Sequence, residues 1–297
     1  MSVASQKRSG IKTHAVQFWD FLILFVLVLM ALTIVIPFIN VIATSFASQK
    51  EFLDTPLLLI PKAPTTKAYS ALFADGRIAI GYRSTLTLVA MAVPLNIFLT
   101  ASLAYALSRG NFPGRKALMV MIVCTMLFQG GIIPLYLIVQ SYGLTNSMWS
   151  VVLTSGVNTF YMILMMNYFQ SIPISLIESA RLDGASEWRI LFRIVVPLSL
   201  PIFATVGLYY LSDRWNEWYH PMIFINSPDK TVLQLVLRSI VNDTQRIEDF
   251  VSEGGELPFS QGVKMAAVVM TMLPAMCIFP FLQKYFVKGV KVGAVKE

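Results

Sequence analysis

The sequence predicts an all-α polytopic membrane protein with six transmembrane helices. Of the 297 residues, 56% are hydrophobic and only 13% are charged, whereas soluble domains carry about 25% charged residues. The mean hydropathy is +0.67, and the apolar residues are gathered in long runs separated by polar segments. Because about 20 apolar residues are enough to cross a bilayer as a helix, each run predicts one span.

The first apolar run is longer than the apolar core of a signal peptide, which is about 7–15 residues, so we expect an uncleaved first span at 18–44. A polar tail, 1–17, precedes it, and the turn-rich stretch 45–80 is expected to form an external loop. The other spans form one transmembrane domain over 81–287, ahead of a basic tail at 288–297. These five predicted helices are Tyr82–Leu107, Ala117–Val139, Met148–Phe169, Val195–Leu211 and Val263–Phe286.

Lys and Arg are unevenly distributed between the connecting segments. If both tails, the turn at 108–116 and the segment around Glu178 share one side, that side holds thirteen Lys or Arg and five acidic residues when Asp20 and Lys284, at the adjoining ends of the first and sixth spans, are included. The other side holds ten and eleven. Since Lys and Arg accumulate in cytoplasmic loops, we expect both termini and the Glu178 segment in the cytoplasm and the protein in the cell membrane, surrounded by lipid. The net charge of +7 does not form a basic patch on a polar domain, so nucleic-acid binding is not indicated.

Motifs that carry catalysis are missing from the sequence. It contains no GxxxxGK[ST] phosphate loop, GxSxG or HExxH pattern. His14 and His220 lie far apart without metal-ligand spacing, and Cys124 and Cys277 each lie in an apolar run, which does not indicate a disulfide framework. We therefore expect no enzyme activity, no metal and no cofactor in this chain.

The segment between the fourth and fifth apolar runs carries six charges, so it must lie at a membrane face. Ser175 followed by Glu178 predicts a capping box at the start of a short helix. Asp183-Gly184 predicts its end, because glycine adopts the left-handed turn without strain, and Ser186 is then placed to cap a second helix. A helix, a sharp turn and a helix at 173–190 are able to fit a groove on a soluble partner.

This segment resembles the EAA loop of the inner-membrane subunits of ABC importers. Glu178, Ala180, Gly184, Ile194 and Pro197 match its spacing, with Ser179 and Val196 in place of an Ala and a Leu. The fuller pattern, with Asp183-Gly184-Ala185 and Pro201, is similar to the carbohydrate-uptake branch that includes the maltose permease. The stretches FQGGIIPLY from Phe128 and LQLVLR from Leu233 look most like permeases for complex-polysaccharide fragments.

The resemblance implies a type I ABC importer permease that forms half of a translocation pore for an oligosaccharide or related sugar. It further implies a second homologous permease subunit, a cytoplasmic ATPase dimer that hydrolyses the ATP, and an extracytoplasmic solute-binding protein. The element at 173–190 is then a coupling helix that acts as a lever in the ATPase cleft and tilts spans four and five.

The implied coupling site contains both apolar docking residues and turn residues. Glu178 has two interpretations, pairing with a basic residue of the ATPase or capping its own helix. The apolar residues expected to dock are Leu176, Ile177, Ala180 and Ala185. The complete set is Leu176, Ile177, Glu178, Ser179, Ala180, Asp183, Gly184 and Ala185.

Polar residues at membrane depth form the second candidate site, a path for the substrate. Such residues mark a pathway in some membrane proteins and supply hydrogen bonds between helices in others. Two Trp residues beyond the fifth span have a similar double interpretation, sugar stacking or an aromatic belt at the membrane interface. The candidates are Asn96, Gln129, Asn158, Asn167, Trp215 and Trp218.

An ion-coupled secondary transporter of small solutes is the alternative function. That class requires coupling carboxylates within the spans, and the apolar cores of the predicted spans contain none. It also leaves the charged segment between spans four and five unexplained. A membrane-embedded enzyme lacks a catalytic set.

Overall fold

The computed structural model describes residues 18–55, 57–74, 76–109, 113–128, 130–242 and 259–294, and these residues form helices and no strands. The first helices are α1 Phe18–Ser45, α2 Gln49–Asp54, α3 Lys67–Ala74, α4 Arg77–Ser108, α5 Arg115–Leu127, α6 Ile132–Ser141, α7 Met148–Thr154 and α8 Thr159–Gln170. They are followed by α9 Ile174–Leu182, α10 Glu187–Ile190, the π-helical segment Leu191–Val195, α11 Val196–Leu198, α12 Leu200–Trp215 and α13 Tyr219–Phe224. A 3₁₀ turn, Pro228–Lys230, then leads to α14 Leu233–Asn242 and α15 Ser260–Ala294.

Helix α4 is the centre of the fold, because it contributes buried residues to three apolar clusters. Its C-terminal part, including Ala104 and Tyr105, packs with α8, α9, α12 and the π-helical segment. Its start, at Ile78, packs with α3, α14 and α15, and its middle, at Leu88 and Ala92, packs with α7. A movement of any of these helices therefore changes its contacts with α4.

Only some helices are long enough to cross a membrane alone. By length and composition, α1 from Asp20 and α4 each qualify, and the described residues allow up to five crossings if each of three bent helix pairs counts as one. The predicted sixth span, 263–286, falls within α15, and its second part lies outside the residues whose side chains are described. The protein is thus a helical membrane protein in which several predicted spans are broken.

The fifth predicted span, Val195–Leu211, begins later than expected. The helix from Glu187 to Leu198 and the helix α12 are bent by 88°, and Ser199 lies between them. Proline explains the bend, because Pro201 cannot donate a backbone hydrogen bond to the preceding turn and its ring crowds the carbonyl four residues earlier. The straight part of this span is Leu200–Trp215.

Predicted spans three and four are also divided. Span four consists of α7 and α8, bent by 54° around residues 155–158. Span three is divided between α5 and α6, where Gly131 adopts a positive φ of 85°. The expected external loop at 45–80 contains α2, α3 and the first residues of α4, so it is more ordered than its turn-rich composition predicted.

Candidate coupling element and polar recess

The predicted helix–turn–helix at 173–190 is formed by α9 and α10, and its turn is a Schellman motif. Gly184 N–H donates to Arg181 O at 3.0 Å, and Ala185 N–H donates to Ala180 O at 3.0 Å. Gly184 has φ +76°, the left-handed conformation that this motif requires at the residue after the helix cap. The prediction that Gly184 makes the turn is confirmed.

The second helix begins as the sequence predicted, and the first does not. Ser186 Oγ accepts a hydrogen bond from Arg189 N–H at 3.4 Å, which makes Ser186 the cap of α10. In α9 the cap position is Pro173, without a side-chain hydrogen bond. The predicted capping box of Ser175 and Glu178 is therefore wrong, because Ser175 already lies inside the helix. Glu178 is exposed, so capping does not occupy its carboxylate.

Glu187, the first residue of α10, connects the coupling element to α4. Its Oε1 accepts a hydrogen bond from Arg181 Nε at 2.8 Å, which spans the turn. Its Oε2 accepts one from the Tyr105 hydroxyl at 2.6 Å. The guanidinium of Arg109 lies over the Tyr105 ring, 4.7 Å from its centroid. These four residues, Tyr105, Arg109, Arg181 and Glu187, form what we call the brace.

The brace keeps the Glu187 carboxylate ionised. Partial burial acts to raise the pKa of Glu187, but hydrogen bonds from Tyr105 and Arg181 and the charges of Arg181 and Arg109 outweigh that effect, so the pKa is lowered. Charge-assisted hydrogen bonds are stronger than neutral ones. A cavity of about 390 Å³ opens beside the brace, with Trp188 and Leu191 in its wall.

The predicted docking residues do not share one exposed face. Leu176 is 46% exposed, but Ile177 is 0% exposed and packs into the core with Ile190 and Leu191. Ala180 and Ala185 are half-buried against the same core. Ile177 is thus corrected from a docking residue to an anchor, because a side chain without exposed surface cannot contact a partner.

The exposed part of the coupling element includes apolar residues that were not among the predicted docking residues. Leu182, next to the turn, is 88% exposed, and Ile174 is 65% exposed. Ser179, Asp183 and Gly184 are also exposed. The sequence shows a Leu beside a charged turn. Whether this side chain faces solvent depends on the rotation of α9 about its own axis, which the buried Ile177 fixes in the folded protein.

A second concave feature lies where the break in span four meets the C-terminal end of α12. It has a volume of about 400 Å³, and we call it the polar recess. Its walls are polar apart from one indole ring. They are formed by Ser155, Asn158, Ser212, Asp213, Arg214, Asn216, Glu217 and Trp218.

The floor of the polar recess is held by a buried ion pair. Arg214 is 4% exposed, and its guanidinium contacts Ser155 O at 2.8 Å and Glu217 Oε2 at 3.2 Å. Glu217 Oε1 also accepts the backbone N–H of His220 at 3.3 Å.

Asn158 and Trp218, two of the predicted path residues, line the polar recess. Asn158 caps α8, since its Oδ1 accepts N–H groups from Phe160 at 2.9 Å and Tyr161 at 3.3 Å. Trp218 is 38% exposed, and the guanidinium of Arg238 from α14 lies 4.3 Å from its ring centroid. The recess therefore joins spans four and five to the external segment.

Trp215 does not line the recess, although it is only three residues from Trp218. It is buried in the cluster of α3, α4, α14 and α15, and its Nε1 donates to Thr271 O at 3.2 Å. Its prediction as a path residue is corrected to packing. Helix α12 ends at Trp215, so the two indoles do not follow one helical face.

The remaining polar candidates have different environments. Asn96 is fully buried, and its amide is assigned the orientation in which Nδ2 donates to Ala92 O at 3.0 Å and Gly156 O at 3.2 Å, which supports the interpretation as a hydrogen bond between helices. Asn167 is exposed on α8. Gln129 lies outside the described residues. Within the described part of the chain, no group of three or more His, Cys, Asp or Glu has a metal-binding arrangement.

Comparison with known proteins identifies relatives over most of the chain. The family model for the binding-protein-dependent transport system inner membrane component matches residues 84–292. A polygalacturonan/rhamnogalacturonan transport system permease protein of Bacillus subtilis, YtcP, is 40% identical and covers 94% of this chain and 98% of its own. Protein LplC of the same organism is 38% identical over 88% of this chain and 89% of its own.

A solved structure supports the same relationship. The chain is similar to one from the crystal structure of a bacterial ABC transporter involved in the import of the acidic polysaccharide alginate. The TM-score is 0.85 at 27% identity, over 96% of this chain and 100% of the other.

Proposed function

Because the chain belongs to the family of binding-protein-dependent transport system inner membrane components, we propose that it forms half of the translocation pore of an ATP-driven importer for an oligosaccharide. The observation that supports this function best is the coupling element, in which a Schellman turn presents the exposed Leu182 beside the half-buried Ala185. A rigid helix pair with an apolar tip suits the groove of a soluble partner. The relatives' names, which mention polygalacturonan, rhamnogalacturonan and the acidic polysaccharide alginate, favour a polysaccharide fragment as substrate.

The proposed assembly has three further components, and the chain has one proposed orientation in the membrane. A second homologous permease completes the pore, a cytoplasmic ATPase dimer hydrolyses the ATP, and an extracytoplasmic solute-binding protein delivers the sugar. The sequence contains no phosphate loop, so ATP hydrolysis is assigned to the separate subunits. The chain lies in the cell membrane with six spans and both termini in the cytoplasm, as the distribution of Lys and Arg favours.

In the proposed mechanism, closure of the ATPase dimer on ATP moves the coupling element, and the element moves the pore. Ile177 anchors α9 to the core, so the element moves as a rigid body. The bent helices of spans four and five supply the places where the pore changes shape. The exposed residues Leu176, Glu178, Ser179 and Asp183 are the proposed contacts beside Leu182.

Purification of the affinity-tagged chain from its own membranes in mild detergent tests the proposal. We expect an ABC ATPase and a second permease to co-purify, and ATP-driven uptake of an oligogalacturonide or a neutral oligosaccharide when the complex is reconstituted with its binding protein. Recovery without an ATPase, together with uptake that an ionophore abolishes, would instead establish the ion-coupled transporter.

A matched pair of variants tests the docking tip. Leu182→Asp places a charge on the 88% exposed tip residue and is expected to remove the ATPase from the purified complex. Leu53→Asp makes the same change at a 68% exposed Leu in α2, on the proposed external side, and is expected to retain it. Equal retention of the ATPase by both variants would contradict the assignment of the tip.

A further inference from the structure

The polar recess lies at a place where a membrane span is interrupted. Residues 155–158 separate α7 from α8, and the two helices are bent by 54°. Non-helical backbone is tolerated at membrane depth only where it is buried in protein or lines a water-filled cavity. Ser155 and Asn158 both line the recess, so this break faces water or a ligand rather than lipid.

The helix lengths place the recess well inside the proposed membrane domain. Helix α8 has 12 residues and rises about 1.5 Å per residue, so the recess is about 18 Å from the end of span four that leads to the coupling element. The hydrocarbon core is about 30 Å thick. The recess therefore lies in the outer half of the proposed pore.

Several side chains of the recess are fully engaged in holding its shape. Arg214 binds Ser155 O and Glu217, and Asn216 bonds to Ser212 O at 2.9 Å and Gln234 at 3.3 Å. The hydrogen-bonded backbone and the buried ion pair make a fixed floor, which is the preorganisation that a binding site needs.

Other polar atoms of the recess remain open to a ligand. Asp213 Oδ2 accepts the Tyr161 hydroxyl at 2.9 Å, and no described residue bonds to its Oδ1. The Asn158 Nδ2 donor and the Ser212 hydroxyl likewise have no partner among the described residues. Together with the exposed ring of Trp218, these atoms provide a hydrogen-bond acceptor, a hydrogen-bond donor, a hydroxyl and a flat apolar surface around one cavity.

We propose that the polar recess is a subsite for the transported sugar, so that this subunit contacts the sugar directly. Asp213 accepts hydrogen bonds from sugar hydroxyls, Asn158 donates one, and the indole of Trp218 packs against the apolar face of the ring. The proposal rests on the proposed function and adds a binding site to it.

The chemistry of the recess favours a sugar over other ligands. Its volume, about 400 Å³, is in the range of small-molecule sites, which is about 300–1,000 Å³. Neutral hydrogen-bonding groups, the Arg214–Glu217 ion pair and the Asp213 carboxylate suit a ligand with many hydroxyls, whereas an acyl chain requires apolar walls. Among the described residues, no group of three or more His, Cys, Asp or Glu has a metal-binding arrangement there.

Protection of an introduced cysteine tests direct contact without the binding protein. In the complete permease–ATPase complex, with Cys124 and Cys277 replaced by Ser, Ser212→Cys places a thiol in the recess wall. A galacturonate trimer and a neutral galactose trimer are the probes. Whichever trimer the wild-type transporter takes up is expected to slow maleimide labelling of the introduced thiol at least threefold. The substitution Asp213→Asn is expected to remove that protection.

Transport kinetics give a second measurement. Trp218→Ala is expected to raise the sugar concentration for half-maximal uptake at least fivefold, whereas Trp149→Ala, at another exposed Trp outside the recess, leaves it within twofold. Unchanged labelling in the presence of a transported trimer, or protection that only the binding protein confers, would overturn the subsite. If the wild-type complex shows no ATP-driven uptake, the proposed function itself is refuted. That result differs from a failure of the subsite, in which uptake persists without protection by the sugar.

Discussion

The Tyr105 hydroxyl donates a hydrogen bond to Glu187 Oε2 at 2.6 Å, and this contact joins the C-terminal end of α4 to the coupling element. From the sequence, we expected the coupling element to tilt spans four and five. Since α4 also packs in all three large apolar clusters, the brace extends that expectation to span two.

Tyr105→Phe and Glu187→Gln are expected to weaken the same interaction. Each removes a charge-assisted hydrogen bond from a half-exposed carboxylate, so we expect a loss of stability of about 1 kcal/mol. Both variants should also hydrolyse more ATP per transported sugar, because the element is then less firmly attached to α4. Thermal unfolding in detergent and paired ATPase and uptake assays measure these effects.

The control for the brace is Tyr142→Phe, at a 75% exposed Tyr far from the element, which should behave as the wild type. In the double variant the two losses should not add, because residues in one hydrogen-bond network are coupled. Strict additivity would show that Tyr105 and Glu187 act independently.

Lowering the pH is expected to remove the contribution of Glu187. The pKa of this carboxyl is lowered in the folded protein from 4.5. The contribution of Glu187 to stability is therefore fully present above about pH 4.5 and is lost as the pH falls through the lower pKa of the folded state. The difference in unfolding midpoint between wild type and Glu187→Gln should be constant from pH 8 to 6 and shrink below about pH 4.5. A difference that grows on acidification would contradict the sign of the shift.

Gly184→Val is expected to leave membrane insertion intact and abolish uptake. Nothing lies within 4 Å of the new Cβ, so the cost is the left-handed backbone at φ +76°, about 1–2 kcal/mol. Gly143→Val carries the same type of strain, at φ +67° with no neighbour within 4 Å, but lies outside the coupling element. Normal uptake by Gly184→Val, or equal loss in both variants, would remove the lever mechanism.

Asn96→Leu is expected to destabilise the protein without changing its apparent affinity for sugar. The substitution leaves Gly156 O without its hydrogen bond from α4, and interhelical hydrogen bonds in membranes contribute about 0.6 kcal/mol on average. The unfolding midpoint and the sugar concentration for half-maximal uptake are the two measurements. A large rise in that concentration with an unchanged midpoint would restore Asn96 to the substrate path.

The parts of the coupling element that were predictable depend on neighbours in the chain. Gly184 and Ser186 act within one turn of their own helices, so their roles follow from turn and cap chemistry. The capping box of Ser175 failed because the cap position is Pro173, two residues earlier, where the proline ring fixes φ at a value compatible with the start of a helix. The brace was not predictable, since 82 residues separate Tyr105 from Glu187.

Composition, run length and turn chemistry are local properties, so they were enough to predict the membrane class, the apolar runs and the sharp turn of the coupling element. The packing of the helices was needed to show that Ile177 is an anchor, that Trp215 is packed while Trp218 is open, and that Asn158 and Asp213 share a recess. The physical reason is that each residue turns the helix surface by about 100°, so the direction of a side chain depends on how the helices rotate and bend against one another.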